Sequence, residues 1–543
     1  MQNRKKNTEF FEKKAGALFE KAGRNYYATI FLAFVFMSLL MIFYKPQVFG
    51  RILDHDAFFY LIKAFEINDG NFTPLHFQSE GWSVILAFFL KIFSIQSFSD
   101  GMVFSRYLSV FIMALCLIPF ALIVKKVLGK ELLLPALVVF TICNTFVHNG
   151  ASGNTESLFF FVFLYAVYFL IRSYDNPKFL YYAAAFGSLA YFIRPNGLFF
   201  LIIIILVFVD LYRKKKAGFK FLLISAGIFI LVSLPHLYMR HAAWGSPFDY
   251  GVNSKYFAGS PSQIWAENIQ PVSFLSWMSD HSIGEMVSKF ITFGLFAIFK
   301  ELFVLLGEFW FVLLLTGCLY YLIIKRESKL FPVIITVGIF IAGLIPVYQV
   351  YGVPRHLFMI IPVALIVGLK LFNDITEKQK YKNILMFLLI SIIFIFNVPV
   401  ITIYEFNKMP GKFEKPILKD EWVRWADENL EGNIAVGNKK QAMFIMLGIE
   451  KSGDVLYDIG KIRNAYHYKL FNPGYYENMS EGIRGFEKDS IRFLIVNEEM
   501  LLELPYLREA YGPEWKNSFK LIYTVNSMPD RMYPQVDIFE ITY

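Results

Sequence analysis

Between residues 27 and 404 the chain alternates apolar stretches with short polar breaks. The stretches at 27–44, 102–124, 131–147, 156–173, 178–193, 197–212, 217–237, 303–324, 331–349, 356–371 and 383–404 approach the length a helix needs to cross lipid. A hydrocarbon core of ~30 Å takes about 20 helical residues, and without water the helix is the simplest way to satisfy the backbone. The pattern therefore predicts an all-α polytopic membrane bundle of eleven transmembrane helices. A further stretch, 82–95, is apolar but short and carries Lys91, and 286–299 has a similar character; both are predicted to lie in the interface. Beyond residue 404 the pattern changes. Runs at 433–436, 454–459, 491–497, 519–525 and 536–542 read as strands, and 419–430, 441–449 and 498–511 as helices, so 405–543 is predicted to be a separate α/β domain.

Charge gives the bundle a direction. If 82–95 does not cross, 24 basic residues fall on one side: Arg4, Lys5, Lys6, Lys13, Lys14, Lys21 and Arg24; Lys125, Lys126 and Lys130; Arg172 and Lys178; Arg213 to Lys216 and Lys220; Lys325, Arg326 and Lys329; Lys370, Lys378, Lys380 and Lys382. The excess of Lys and Arg in cytoplasmic loops makes that side the cytoplasm. Residues 1–26 are then a cytoplasmic basic N-terminus and 27–404 the transmembrane part. Two long loops, 45–101 and 238–302, and the domain 405–543 lie outside. No short apolar core with a small-residue cleavage site precedes the first helix, which reads as an uncleaved anchor.

Composition agrees. Of 543 residues 56% are hydrophobic and 18% charged, against roughly 25% charged in soluble domains, which excludes disorder and argues against an ordinary soluble enzyme. The net charge of +9 divides into 35 basic and 22 acidic residues before residue 405 and 18 and 22 after it. Because the basic residues punctuate apolar runs, they read as orientation signals, and no nucleic-acid partner is implied. Cys116, Cys143 and Cys318 sit inside apolar runs without metal spacing. No short repeat, Walker motif or GxGxxG is present.

Candidate chemistry lies in the polar residues at the outer rim. Asp54-His55-Asp56 stands just beyond the first helix, before a helical pattern over 57–68. Asp56 there is either a helix N-cap or a general base, and Asp54 with Asp56 can hold Mg²⁺ or Mn²⁺ through oxygen. The island His148 to Ser157 has turn composition, but its Glu156 abuts an apolar run, where a carboxylate needs a partner or a watery cavity. Arg194-Pro195-Asn196-Gly197 and Tyr351-Gly352-Val353-Pro354-Arg355-His356 put arginines at outer turns against the charge bias. Each can snorkel, and each suits a lipid phosphate. His55, His148 and His356 form no pair with metal-site spacing.

In this order along the chain, Asp56 with Tyr60 and Gly70, the aromatic stretch from Trp82, Asn154-Thr155-Glu156-Ser157, Arg194-Pro195-Asn196-Gly197, and Pro354-Arg355-His356 before Pro362 resemble the GT-C membrane glycosyltransferases. The likeness is to bacterial relatives of protein O-mannosyltransferases and of the lipid A aminoarabinose transferase. The resemblance implies a polyprenyl-phosphate-sugar donor, inversion at the anomeric carbon, and a glycan, lipid or protein acceptor at the outer face. It carries the catalytic carboxylate to Asp56, with Asp54 beside it, and the second acidic position to Glu156. Phosphate contacts fall to Arg194 and Arg355, and Tyr60, Glu80, Asn196 and His356 join the substrate side. Gln78-Ser79-Glu80-Gly81-Trp82 departs from the Pro-rich segment of many relatives. The alternatives are a multi-pass transporter or flippase, which usually shows repeated halves, midplane broken helices and short outer loops where this chain has rim polar clusters, a 57-residue first outer loop and a domain after the last helix, and a structural protein whose tail binds envelope partners.

Overall fold

The computed structural model describes residues 2–44, 55–74, 79–96, 98–248, 274–348, 354–399, 429–430, 433–436, 470–471, 476, 478–488, 490–497, 501, 505–525 and 536–543. In chain order its helices are α1 (Gln2–Arg24), α2 (Tyr26–Tyr44), α3 (His55–Asn68), α4 (Gly81–Ile92), α5 (Phe98–Leu115), α6 (Leu117–Val127), α7 (Leu133–Thr141), α8 (Asn144–Ala151), α9 (Glu156–Arg172), α10 (Phe179–Ile193), α11 (Phe199–Arg213), α12 (Phe219–Trp244), α13 (Phe274–Ser279), α14 (Ile283–Val287), α15 (Phe296–Leu319), α16 (Phe331–Tyr348), α17 (Ile361–Thr376), α18 (Lys382–Pro399) and α19 (Met479–Lys488).

Helix occupies each of the eleven apolar stretches, but the span count is lower than expected. Among the described residues six runs are long and apolar enough to cross a membrane: Asp100–Val127, Pro195–Arg213, Phe219–Ala243, Ile283–Gly307, Phe331–Tyr348 and His356–Thr376. Two bent pairs, α1 with α2 at 95° and α7 with α8 at 54°, raise this to eight. The reason is length. At 15 residues α10 reaches only about 22 Å. The short α4 fits the interfacial expectation for 82–95. The stretch 286–299, also expected at the interface, instead lies within the span-length run Ile283–Gly307.

At the centre stands α9, with eleven of its residues buried. Its Phe160 packs among Phe140, Phe146 and Phe358, and its Phe163 against Phe200 and Phe340. This aromatic spine links α7, α8, α11, α16 and the 3₁₀ turn Pro354–Ile360.

The basic clusters of the sequence gather at one end. Lys126 and Arg172 pair with Asp175, Lys214 pairs with Asp210, and Lys216 donates to the Tyr174 carbonyl. Lys325 and Lys370 share Asp374, and Lys380 pairs with Glu9 of α1. Because α9 ends here at Arg172, its first residue, Glu156, marks the opposite end, the rim.

In the tail a five-stranded sheet has β1 (Asn433–Val436), β2 (Leu470–Phe471), β3 (Ile491–Asn497), β4 (Phe519–Val525) and β5 (Val536–Ile541), in the order β2-β1-β3-β5-β4. The first three run parallel, and β5 is antiparallel to β3 and β4. Four strands fall where the alternation predicts them; β2 and α19 were not foreseen. The predicted strand 454–459, the helix 441–449 and most of 419–430 lie outside the described residues, and the described part of 498–511 ends in a 3₁₀ turn, Pro505–Tyr511. Burial and the Asp537 carboxylate raise the Tyr511 phenol above its ordinary pKa, so its hydroxyl stays protonated and donates to that carboxylate.

Candidate functional site

At the rim, α10 ends at Arg194, whose backbone turns extended before the 3₁₀ turn Pro195–Leu198. Pro195 cannot continue an α-helical hydrogen-bond ladder, so the chain stops here and folds back. Gly197 allows the fold: a side-chain carbon there would stand 2.1 Å from the Tyr191 backbone nitrogen. The reversal aims Arg194 at the start of α9, where its Nη1 donates to Glu156 Oε1 at 2.8 Å. The guanidinium also lies 5.9 Å from the Phe159 ring centroid. Glu156 is buried, and its second oxygen, Oε2, has no hydrogen-bond partner among the described residues. Glu156 is the first residue of α9, so its carboxylate faces the positive end of the helix dipole.

The polar island holds this carboxylate in place. Gly153 has φ +77°, a left-handed conformation that glycine adopts without strain. Its carbonyl accepts from the Trp82 indole at 2.9 Å and from Ser105 Oγ at 3.1 Å. Ser157 and Ser109 hydroxyls bond at 2.8 Å. The turn that the island's composition suggested is confined to 152–155, since His148 to Ala151 close α8 and Glu156 and Ser157 open α9; α4 and α5 clamp it, and it leads into a buried charge.

A second buried cluster lies beside the first. Glu80 is 3.1 Å from Arg240 Nη1 and 3.0 Å from His236 Nδ1, all three side chains being almost fully enclosed. The Arg240 contact is a hydrogen bond; the His236 approach has ion-pair distance without hydrogen-bond alignment. The His236 ring meets Tyr191 and Phe192 edge-on. The two clusters touch through Gly81, where a side-chain carbon would stand 2.8 Å from Ile193 Cγ1. Gly81 follows Glu80, and Ile193 precedes Arg194.

Asp56 lies in the first turn of α3, half-buried, as the helical pattern over 57–68 predicts. One turn on, Tyr60 is buried in a core with Trp82, Leu86 and Leu90, so α3 rests on the helix whose Trp82 clamps Gly153. Arg355 and His356 enter the 3₁₀ turn Pro354–Ile360. In that turn Phe358 packs on Phe159 and Phe160, the former being the ring under Arg194. The turn that follows Pro354 therefore comes to the same corner as Glu156 and Arg194. Asn196 is half-buried in the turn after Arg194. Asp54 and the Arg355 side chain lie outside what the structure describes. Among the described residues no three His, Cys, Asp or Glu side chains converge as a metal site.

Two features escaped sequence reasoning. Glu80, expected on the substrate side, is a buried partner of Arg240 and His236, which stand four apart on one face of α12. Lys63 is buried on α3, bonded to Glu66 at 2.7 Å and to the Asn71 carbonyl at 3.1 Å, which closes the turn at Gly70.

No family model matches the sequence, and no curated protein matches it. Solved structures do share the fold. The apo oligosaccharyltransferase of Archaeoglobus fulgidus aligns with TM-score 0.57 and 13% identity over 87% of this chain and 70% of its own. The same organism's AglB, solved with an inhibitory peptide and a dolichol-phosphate, aligns at 0.54 and 14%, over 87% and 70%. ArnT of Cupriavidus metallidurans bound to undecaprenyl phosphate aligns at 0.50 and 9%, over 93% and 97%. The chain shares the fold of these oligosaccharyltransferase and ArnT structures, a membrane helical bundle with a small sheet domain after it.

Proposed function

We propose that the chain is a membrane glycosyltransferase that moves a sugar from a polyprenyl-phosphate-linked donor to a hydroxyl of a glycan, lipid or protein acceptor at the outer face. The observation that carries this reading is the rim pair Glu156–Arg194, a buried carboxylate with one unpartnered oxygen beside a guanidinium. The fold adds support, since neighbours that share it were solved with undecaprenyl phosphate and with dolichol-phosphate.

In this reading the acceptor oxygen attacks the anomeric carbon, and the bond from that carbon to the phosphate oxygen breaks with inversion. Polyprenyl phosphate leaves, and the acceptor proton passes to the Asp56 carboxylate. Arg194 and Arg355 supply fixed positive charge where the leaving phosphate gains negative charge. Tyr60, Asn196 and His356 belong to the wall around it, and Glu80 acts from behind by holding the start of α4. A divalent cation belongs to the reading as well: a neighbour was solved with Zn and sulfate, and the Asp54 and Asp56 carboxylates would hold it, where it would neutralise phosphate charge. The basic end faces the cytoplasm, and the rim and the α/β domain face outward.

The experiment is a donor panel. Purified protein is given undecaprenyl-phosphate-linked hexoses and pentoses, with an envelope extract as acceptor, and release of undecaprenyl phosphate is followed. Release with one donor, lost in Asp56→Asn, is expected. A folded protein that neither binds undecaprenyl phosphate nor releases it from any donor would refute the reading.

A further inference from the structure

The first helix is a lipid-facing device independent of the rim. α1 meets α2 at 95°, so with α2 crossing the bilayer α1 runs along its surface. The elbow is fixed: Thr29 Oγ1 on α2 donates to the Ala22 carbonyl on α1 at 2.9 Å, and the Glu12 carboxylate accepts both the Asn383 and Ile384 N–H groups at the start of α18, each at 2.9 Å.

Around α1 the sequence sorts into four strips, each repeating at i, i+4, i+7, i+11 or part of it. Glu12, Gly16, Phe19 and Gly23 face the protein: Phe19 is buried, and side-chain carbons at Gly16 and Gly23 would press on Asn383 and the Lys130 carbonyl. Glu9, Lys13, Glu20 and Arg24 form a mixed strip in which Glu9 pairs with Lys380 and Glu20 with Arg24. Phe11, Ala15, Leu18 and Ala22 form an apolar strip; Phe11 is 61% and Leu18 45% exposed, so the protein does not cover it. Between the apolar and mixed strips stand Lys14 and Lys21, exposed and in no ion pair among the described residues, Lys14 lying over the Phe10 ring. The apolar surface continues onto α2 through the exposed Tyr27 and Phe31.

We propose that α1 is a binding strip for acidic phospholipid in the leaflet at the basic end. Phe11 and Leu18 enter the acyl region. Lys14 and Lys21, two turns and about 10 Å apart on the edge of that strip, take headgroup phosphates. A helix held in the membrane plane, with unpaired cations next to uncovered apolar side chains, matches in charge and depth a lipid with a negative head.

The test uses the full-length protein in neutral detergent, titrated with phosphatidylglycerol or phosphatidylcholine and read by native mass spectrometry and thermal shift. Wild type is expected to bind and be stabilised by phosphatidylglycerol more than by phosphatidylcholine, and inorganic phosphate is expected to do neither. Lys14→Gln with Lys21→Gln should weaken phosphatidylglycerol binding by about fivefold per lysine, leaving phosphatidylcholine binding unchanged. Lys13→Gln, on the mixed strip, should change it by less than about twofold, and Phe11→Gln should weaken both lipids. Equal binding of the two lipids, an intact preference in the double variant, or an equal loss in Lys13→Gln would overturn the proposal. The lysines are exposed and in no ion pair among the described residues, so the unliganded melting temperature of the lysine variants should stay close to wild type and serves as the folding control.

Discussion

Arg194 donates to Glu156 at 2.8 Å across 38 residues of sequence, and this one bond ties the end of α10 to the start of α9. In the proposed reaction it gives Arg194 two duties, to compensate a buried carboxylate and to offer charge to a phosphate. Arg194→Ala should therefore do more than weaken donor binding. It leaves Glu156 buried and uncompensated, which costs about 3–5 kcal/mol, read as a lower melting temperature in detergent. Arg194→Lys keeps the charge and loses the fork, so stability should return in part. Adding Glu156→Gln to Arg194→Ala should restore stability while donor affinity stays low. Unchanged stability and donor affinity in Arg194→Ala would mean that the arginine only snorkels.

What the sequence made legible was local. Apolar runs gave the helices, the basic clusters gave the common end, and the turn composition of 148–157 gave the clamped loop at Gly153. Span number was not legible, because an apolar run states how much of a helix tolerates lipid and not where the helix bends or stops, as at Gly307 and between α7 and α8. Pairings between distant residues were also hidden. Glu80 is 160 residues from Arg240, and no local pattern joins them, although each alone is a charge where lipid or core demands a partner. Glu156 needed a partner by that same rule, yet nothing in the sequence picked Arg194.

Glu80 should behave as a positioning residue. Glu80→Ala removes the carboxylate between Arg240 and His236 and should lower stability by about 3–5 kcal/mol. Glu80→Met with Arg240→Met replaces the pair with apolar volume and should recover much of it. If the cluster sets the place of Arg194 through Gly81 and Ile193, the double variant should keep its fold and show weaker donor binding. A stable double variant with full donor affinity would confine Glu80 to stability.

Orientation has a direct check. Glu487→Cys, exposed on α19 of the sheet domain, should react with a membrane-impermeant maleimide added to intact cells, and Lys329→Cys, exposed at the basic end, only after permeabilisation. The reverse pattern would invert the topology and move the rim to the cytoplasm.

The sharpest test lies at Asp56, where a structural helix-start carboxylate and a base make opposite forecasts. α3 begins at His55, so Asp56 is its second residue and not the N-cap the sequence offered; its carboxylate faces the positive end of the helix dipole, at the end of the helix whose Tyr60 packs with Trp82. As a helix-start carboxylate only, Asp56→Asn should be nearly silent, because the dipole interaction is worth about 0.3–1 kcal/mol. As the base, the same change removes the proton acceptor and should lower turnover by roughly 10²-fold or more with donor binding and melting temperature unchanged. Asp54→Asn is the comparison: a smaller loss there separates the two carboxylates, whereas equal losses that vary with added Mg²⁺ or Mn²⁺ would assign both to a shared cation. Full turnover in folded Asp56→Asn would remove Asp56 from the chemistry and leave Glu156, with its unpartnered oxygen, as the carboxylate to test next.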